Sequence, residues 1–92
     1  MSEPRTANLK ITNRYGLHAR PATDFATAAS EYTCDIRVKA NGEDADGKSV
    51  MELMFLAATK GTTLEVTCTG DDADDCLTRL AELVNSGFDE DD

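Results

Sequence analysis

The sequence predicts an α/β (α+β) fold: a two-layer sandwich in the order β-α-β-β-α-β-α, with helices covering one face of a sheet. Three observations predict it. The strand candidates alternate apolar and polar residues, so one sheet face is buried and the other wet. Two of the three helix candidates carry one apolar stripe at the helical period, which covers a single neighbour. At 92 residues the chain can bury one modest core and not two. Two layers with one open face satisfy all three.

Each element has its own signal. Met1–Pro4 reads as a loose end. Over Arg5–Thr12, Ala7, Leu9 and Ile11 alternate with polar residues, which gives the first strand. Asn13–Leu17 is a loop turning at Gly16. Ala19–Glu31 is the first helix, with Ala22, Phe25, Ala26 and Ala29 on one face. Cys34, Ile36, Val38 and Ala40 mark the second strand. Asn41-Gly42 is a two-residue turn, because both residues tolerate positive φ. Glu43–Asp46 is a short, charged return strand suited to a sheet edge. Ser49 is placed to N-cap a helix over Val50–Thr59 that ends near Gly61. Thr62–Thr69 is the fourth strand. Gly70-Asp71-Asp72 turns into a last helix with a stripe of Ala73, Cys76, Leu77, Leu80, Leu83 and Val84. Asn85-Ser86-Gly87 ends it, and 88–92 reads as a solvated tail. There is no internal repeat and no linker, so residues 1–92 read as a single domain.

Composition excludes several classes. Eighteen acidic against nine basic side chains give a net charge of −9. That balance opposes binding to nucleic acid or to an anionic membrane surface, since both reward clustered Lys and Arg. Nine of the acids lie late in the chain, at Asp71, Asp72, Asp74, Asp75, Glu82, Asp89, Glu90, Asp91 and Asp92. No stretch is long and apolar enough to cross a membrane, and the N-terminus lacks the apolar run of a signal peptide. A cytoplasmic protein is expected. Cys34, Cys68 and Cys76 show no C-x-x-C spacing and make a poor zinc set beside one histidine, so no metal and no cofactor are expected. If the second and fourth strands pair antiparallel, Cys34 faces Cys68. Buried thiols or a disulfide are both open, and a reducing compartment favours thiols.

The densest stretch is Gly16-Leu17-His18-Ala19-Arg20-Pro21, which holds the only histidine. It lies where a strand ends and a helix begins. The first N–H groups of a helix lack intrahelical partners and carry partial positive charge, which makes that end an anion site. Pro21 fits the first turn, where its missing N–H costs nothing. Arg20 offers a charge-assisted grip on a phosphate-like group. An imidazole, free N–H groups and a guanidinium are what a transiently phosphorylated histidine requires. The plain alternative is a histidine that only caps a helix.

The helix Val50–Thr59 departs from the one-stripe pattern, being apolar nearly all round with Glu52 its only charge. Such a helix is either fully buried or presents an apolar face to a partner. In so small a domain the second is expected. Leu53 and Leu56 would face the core. Val50, Met51, Met54 and Phe55 would form an exposed docking patch.

Together, Gly16–Pro21, the downstream Gly47-Lys48-Ser49-Val50-Met51 and the Lys60-Gly61-Thr62 turn resemble the HPr family. These are the histidine-containing phosphocarriers of the bacterial phosphoenolpyruvate-dependent phosphotransferase system. The resemblance runs from about Arg5 to Gly87. It implies an open-faced β-sandwich: a four-stranded antiparallel sheet with three helices on one face. It implies that His18 takes a phosphoryl group on Nδ1 from phosphorylated enzyme I and passes it to EIIA-type proteins. Arg20 would stabilise that group. Ser49 would be a regulatory phosphorylation site for an HPr kinase/phosphorylase, with Val50 and Met51 in the docking face. A monomeric relay is expected, one that accepts and donates without net turnover of its own.

The chain departs from the family in charge. Many members carry lysines on the docking helices, whereas Ala19–Glu31 has none and Val50–Thr59 carries Glu52. Electrostatic steering should differ accordingly. Two alternatives stay open: a regulatory binding protein controlled at Ser49, and a nitrogen-branch carrier not coupled to sugar uptake. Retention of both His18 and Arg20 favours the carrier.

Overall fold

Strand β1 (Arg5–Lys10) and strand β4 (Thr63–Thr69) pair antiparallel, with Leu9 opposite Leu64 and Ala7 opposite Val66. On its other side β4 pairs antiparallel with β2 (Asp35–Ala40), and β2 pairs with β3 (Glu43–Asp46). The order is β1-β4-β2-β3, so the charged strand β3 lies at an edge as its sequence predicts. The computed structural model describes residues 3–90. The loose ends expected at Met1–Ser2 and Asp91–Asp92 lie outside them.

Alternation decides which face is covered. In β2 the residues Ile36, Val38 and Ala40 are buried while Asp35, Arg37 and Lys39 are exposed. Leu64, Val66 and Cys68 do the same in β4. Three helices cover that face: α1 (Ala19–Ala29), α2 (Val50–Phe55) and α3 (Ala73–Asn85). α3 lies over β1 and β4, α2 lies beside β3, and α1 packs against both other helices. The α1 stripe of Ala22, Phe25, Ala26 and Ala29 is buried throughout. In α3, Ala73, Cys76, Leu80 and Val84 are buried, with Leu77 and Leu83 packed at the margin.

The largest boundary correction concerns α2, which ends at Phe55 and not at Thr59. Ala57 adopts φ +51°, a left-handed conformation that stops a helix. The Asn41 side-chain amide, from the β2–β3 turn, donates to the Leu56 and Ala57 carbonyls at 2.9 and 3.3 Å. These bonds satisfy groups that a helix end leaves open. Gly61 belongs instead to the turn closed by Thr62 N–H donating to the Thr59 carbonyl.

Other ends shift less. α1 stops at Ala29, with Ser30 to Tyr32 held by short-range backbone bonds, and β1 stops at Lys10. Ile11 continues the pairing irregularly, exchanging bonds with Thr62 and Gly61 at 2.8 Å each. The tail expected at 88–92 is not loose where it is described. Gly87–Asp89 forms a short 3-10 turn, Phe88 is buried, and Glu90 is engaged with the histidine loop. Burying an aromatic ring outweighs the solubility of the acids around it.

Candidate functional site

The site begins with a loop that needs a glycine. Gly16 has φ +69°, and a Cβ there would lie 2.3 Å from the Ala58 carbonyl oxygen. The next residue, Leu17, donates its N–H to that same carbonyl at 2.8 Å. The loop is thereby locked against the segment that follows α2. Gly16→Ala is expected to lower stability by at least about 1–3 kcal/mol from its backbone conformation alone, before any clash is counted. An unchanged melting temperature would contradict this.

His18 is the N-cap of α1, in extended conformation, and its carbonyl accepts from Ala22 N–H at 2.9 Å. Its side chain does not cap the helix. The imidazole is directed elsewhere: Nε2 lies 3.0 and 3.3 Å from the two carboxylate oxygens of Glu90. A carboxylate only accepts, so Nε2 carries the hydrogen in this contact. In a neutral ring that leaves Nδ1 with its lone pair free. Among the described residues Nδ1 accepts no hydrogen bond. The ring is 39% exposed while Glu90 is 14% exposed, so the carboxylate is the more enclosed partner and the imidazole the more accessible group.

Glu90 is itself fixed. Asn13 Nδ2 donates to its Oε1 at 2.9 Å and to the Gly16 carbonyl at 2.8 Å. Asn13 is 1% exposed, the one polar side chain in the core among the described residues, and its Oδ1 has no partner there. Tyr15 stands edge-on to the imidazole, with ring centroids 6.1 Å apart, and the Arg14 guanidinium lies 5.1 Å over the Tyr15 ring.

Arg20 is exposed in the first turn of α1 and forms no ion pair among the described residues. The structure thus brings His18 and Arg20 to one helix end. Ser49 is elsewhere, as the N-cap of α2, where its Oγ accepts from Glu52 N–H at 3.2 Å. Glu52 reaches back to Asp46 N–H at 3.0 Å. Leu53 and Leu56 are buried, as the apolar pattern predicts. Met51, Met54 and Phe55 are 67%, 44% and 73% exposed, but Val50 is half-buried against the core. The patch is therefore three residues with Val50 at its margin.

Asn13, Tyr15 and Glu90 escaped the sequence reading. Asn13 and Tyr15 had a signal in their nearness to the motif. Glu90 had none, standing 72 residues from His18 in an acidic run.

Comparison with known proteins follows the same lines. Residues 5–86 match the sequence model of the family described as PTS HPr component phosphorylation site. The phosphocarrier protein HPr of Pseudomonas aeruginosa is 47% identical over 83 residues, covering 89% of this chain and 92% of that one. The phosphocarrier protein NPr of Escherichia coli is 36% identical over 84 residues, covering 90% and 93%. A crystal structure of HPr from Thermoanaerobacter tengcongensis superposes with a TM-score of 0.90 at 32% identity, covering 95% of this chain and 98% of that one.

Proposed function

The chain belongs to the HPr family of phosphocarriers of the phosphotransferase system, and from that premise we propose that His18 Nδ1 is the atom that carries the phosphoryl group. The observation that supports this most directly is the Nε2–Glu90 contact, which leaves Nδ1 as the nitrogen with a free lone pair. Nδ1 attacks phosphorus on phosphorylated enzyme I. The bond from phosphorus to its donor breaks as the Nδ1–P bond forms, and the reverse exchange delivers the group to an EIIA-type protein. Arg20 meets the charge on the phosphoryl oxygens, with the N-terminus of α1 behind it. Incubation with phosphoenolpyruvate and enzyme I tests the reading by intact mass. One added phosphoryl group, labile in acid and stable in base, is expected.

Glu90 acts here as a positioning residue. Glu90→Ala frees the ring to take the other tautomer and to rotate. In metal sites, removing the carboxylate that orients a ligating histidine costs about 10–100-fold, and Glu90 stands to His18 in the same orienting relation. The rate of His18 phosphorylation should fall by about tenfold, the low end, because Tyr15 still flanks the ring. An unchanged rate would leave Glu90 as a packing group.

Met51, Met54 and Phe55, with Val50 at their margin, form the docking face for enzyme I and EIIA-type proteins. The support is their exposure and the hydrogen bond tying the histidine loop to Ala58, just beyond α2. Ser49 borders this face. A phosphate there would stand near Asp46 and Glu52, adding like charge where a partner must dock. Ser49→Asp preserves the cap, so the melting temperature holds while the initial rate of His18 phosphorylation drops by about tenfold at low salt. Equal rates at low salt would leave Ser49 as a cap alone. The resemblance to both HPr and NPr relatives leaves a second reading, in which the same chemistry serves a nitrogen-related branch. Phosphoryl transfer from enzyme I of each branch separates the two.

A further inference from the structure

All three cysteines of the chain meet at one point, away from the histidine site. Cys34 precedes β2, Cys68 lies in β4, and Cys76 is the fourth residue of α3. Their spacing in sequence gives no sign of this, because three separate elements bring them together. The cross-strand pairing expected of Cys34 and Cys68 is corrected in detail. Ile36 stands opposite Cys68, so Cys34 is its diagonal neighbour, and Cys76 reaches down from α3 to complete a triangle. The thiols are free, and 2%, 0% and 0% exposed.

The three sulfur atoms lie within 4.8 Å of one another. At a metal–sulfur distance of about 2.3 Å, three sulfurs around one ion stand about 4.0 Å apart. A shift of less than an ångström per side chain closes the triangle onto an ion. We propose that Cys34, Cys68 and Cys76 form a three-thiolate binding site for one soft d10 metal ion, Cu(I).

Four features support this. Sulfur ligands select soft ions. Three sulfurs with no fourth ligand in the group among the described residues fit the trigonal preference of Cu(I), whereas zinc in a closed site takes four ligands. Cys76 lies in the first turn of α3, where the helix end favours thiolate. The turn over the cluster is acidic. Asp72 accepts from Thr33 N–H and Cys34 N–H at 2.8 and 2.9 Å. With Asp75 it puts negative charge beside the cluster that attracts cations, while Asp74 is paired with Arg5 at 3.0 Å. In the metal-free protein the cluster holds three free cysteines. Binding breaks three S–H bonds and forms three S–Cu bonds. Three protons pass to solvent, and copper stays Cu(I) throughout.

The test uses the full chain, reduced with a phosphine under anaerobic conditions and titrated with Cu(I) held by a chromogenic chelator. One equivalent bound, with three sulfur neighbours and no oxygen or nitrogen in X-ray absorption, is the expected result. Cys76→Ala should lose the three-sulfur signature, with folding checked by circular dichroism. Zn(II), titrated in parallel, should bind more weakly. Three outcomes would overturn the proposal: no copper retained against the chelator, equal retention by the triple alanine variant, or preference for Zn(II). The titration of the unmodified chain decides on its own if a variant fails to fold.

Discussion

His18→Ala takes up no phosphoryl group from phosphorylated enzyme I. The chain has one histidine, so no other imidazole can substitute for it. The variant should still fold. The His18 side chain forms no cap bond to α1, and its ring is more than a third exposed. Its contact with Glu90 is partly exposed, and such pairs contribute about 0–1 kcal/mol. Asn13 continues to hold the Glu90 carboxylate. The effect on transfer is therefore complete while the effect on stability is small. Intact mass after incubation, with thermal unfolding as the control, checks both halves. Residual labelling at the same rate would remove His18 from the role of acceptor.

Arg20→Ala slows transfer strongly and leaves the fold intact. The guanidinium is exposed and without an ion pair among the described residues, so it contributes little that folding would miss. Surface changes of this kind stay within about ±0.5 kcal/mol. Its contribution arises when a phosphoryl group arrives at the end of α1. Removing one preorganised donor to a developing anion costs about 10²–10³ in rate. Arg20→Lys keeps the charge but loses the forked geometry, so it should recover only part of that rate. Quenched-flow rates for the three proteins, set beside their melting temperatures, make the comparison. A collapse in stability would make Arg20 structural, and full recovery by lysine would reduce its role to charge alone.

Local pattern carried most of the architecture. Alternation in β2 and β4 and the stripe in α1 each depend on neighbours two to four positions apart, so sequence exposes them. The helix end at Phe55 was hidden because Ala57 takes a left-handed conformation that alanine rarely adopts. The Asn41 amide that meets the open carbonyls there comes from another element. The same separation explains the site. His18 and Arg20 are two residues apart and were legible together. Glu90 and Asn13 support the imidazole only once the chain end has folded back, with Phe88 buried to anchor it. Composition made the end of the chain look solvated, because a run of acids reads the same whether one member is engaged or none. The cysteine triangle was legible as a pair and not as three, since α3 meets the sheet only in tertiary packing.

The central claim is that the group attaches to Nδ1 of His18, with Nε2 held by Glu90. Nitrogen-15 spectra of the imidazole, recorded before and after phosphorylation by enzyme I, test it most directly. Phosphorus coupled to Nδ1, and a hydrogen on Nε2 in the unmodified protein, is the result expected. Phosphorus on Nε2, or a hydrogen on Nδ1 in the resting protein, would contradict it.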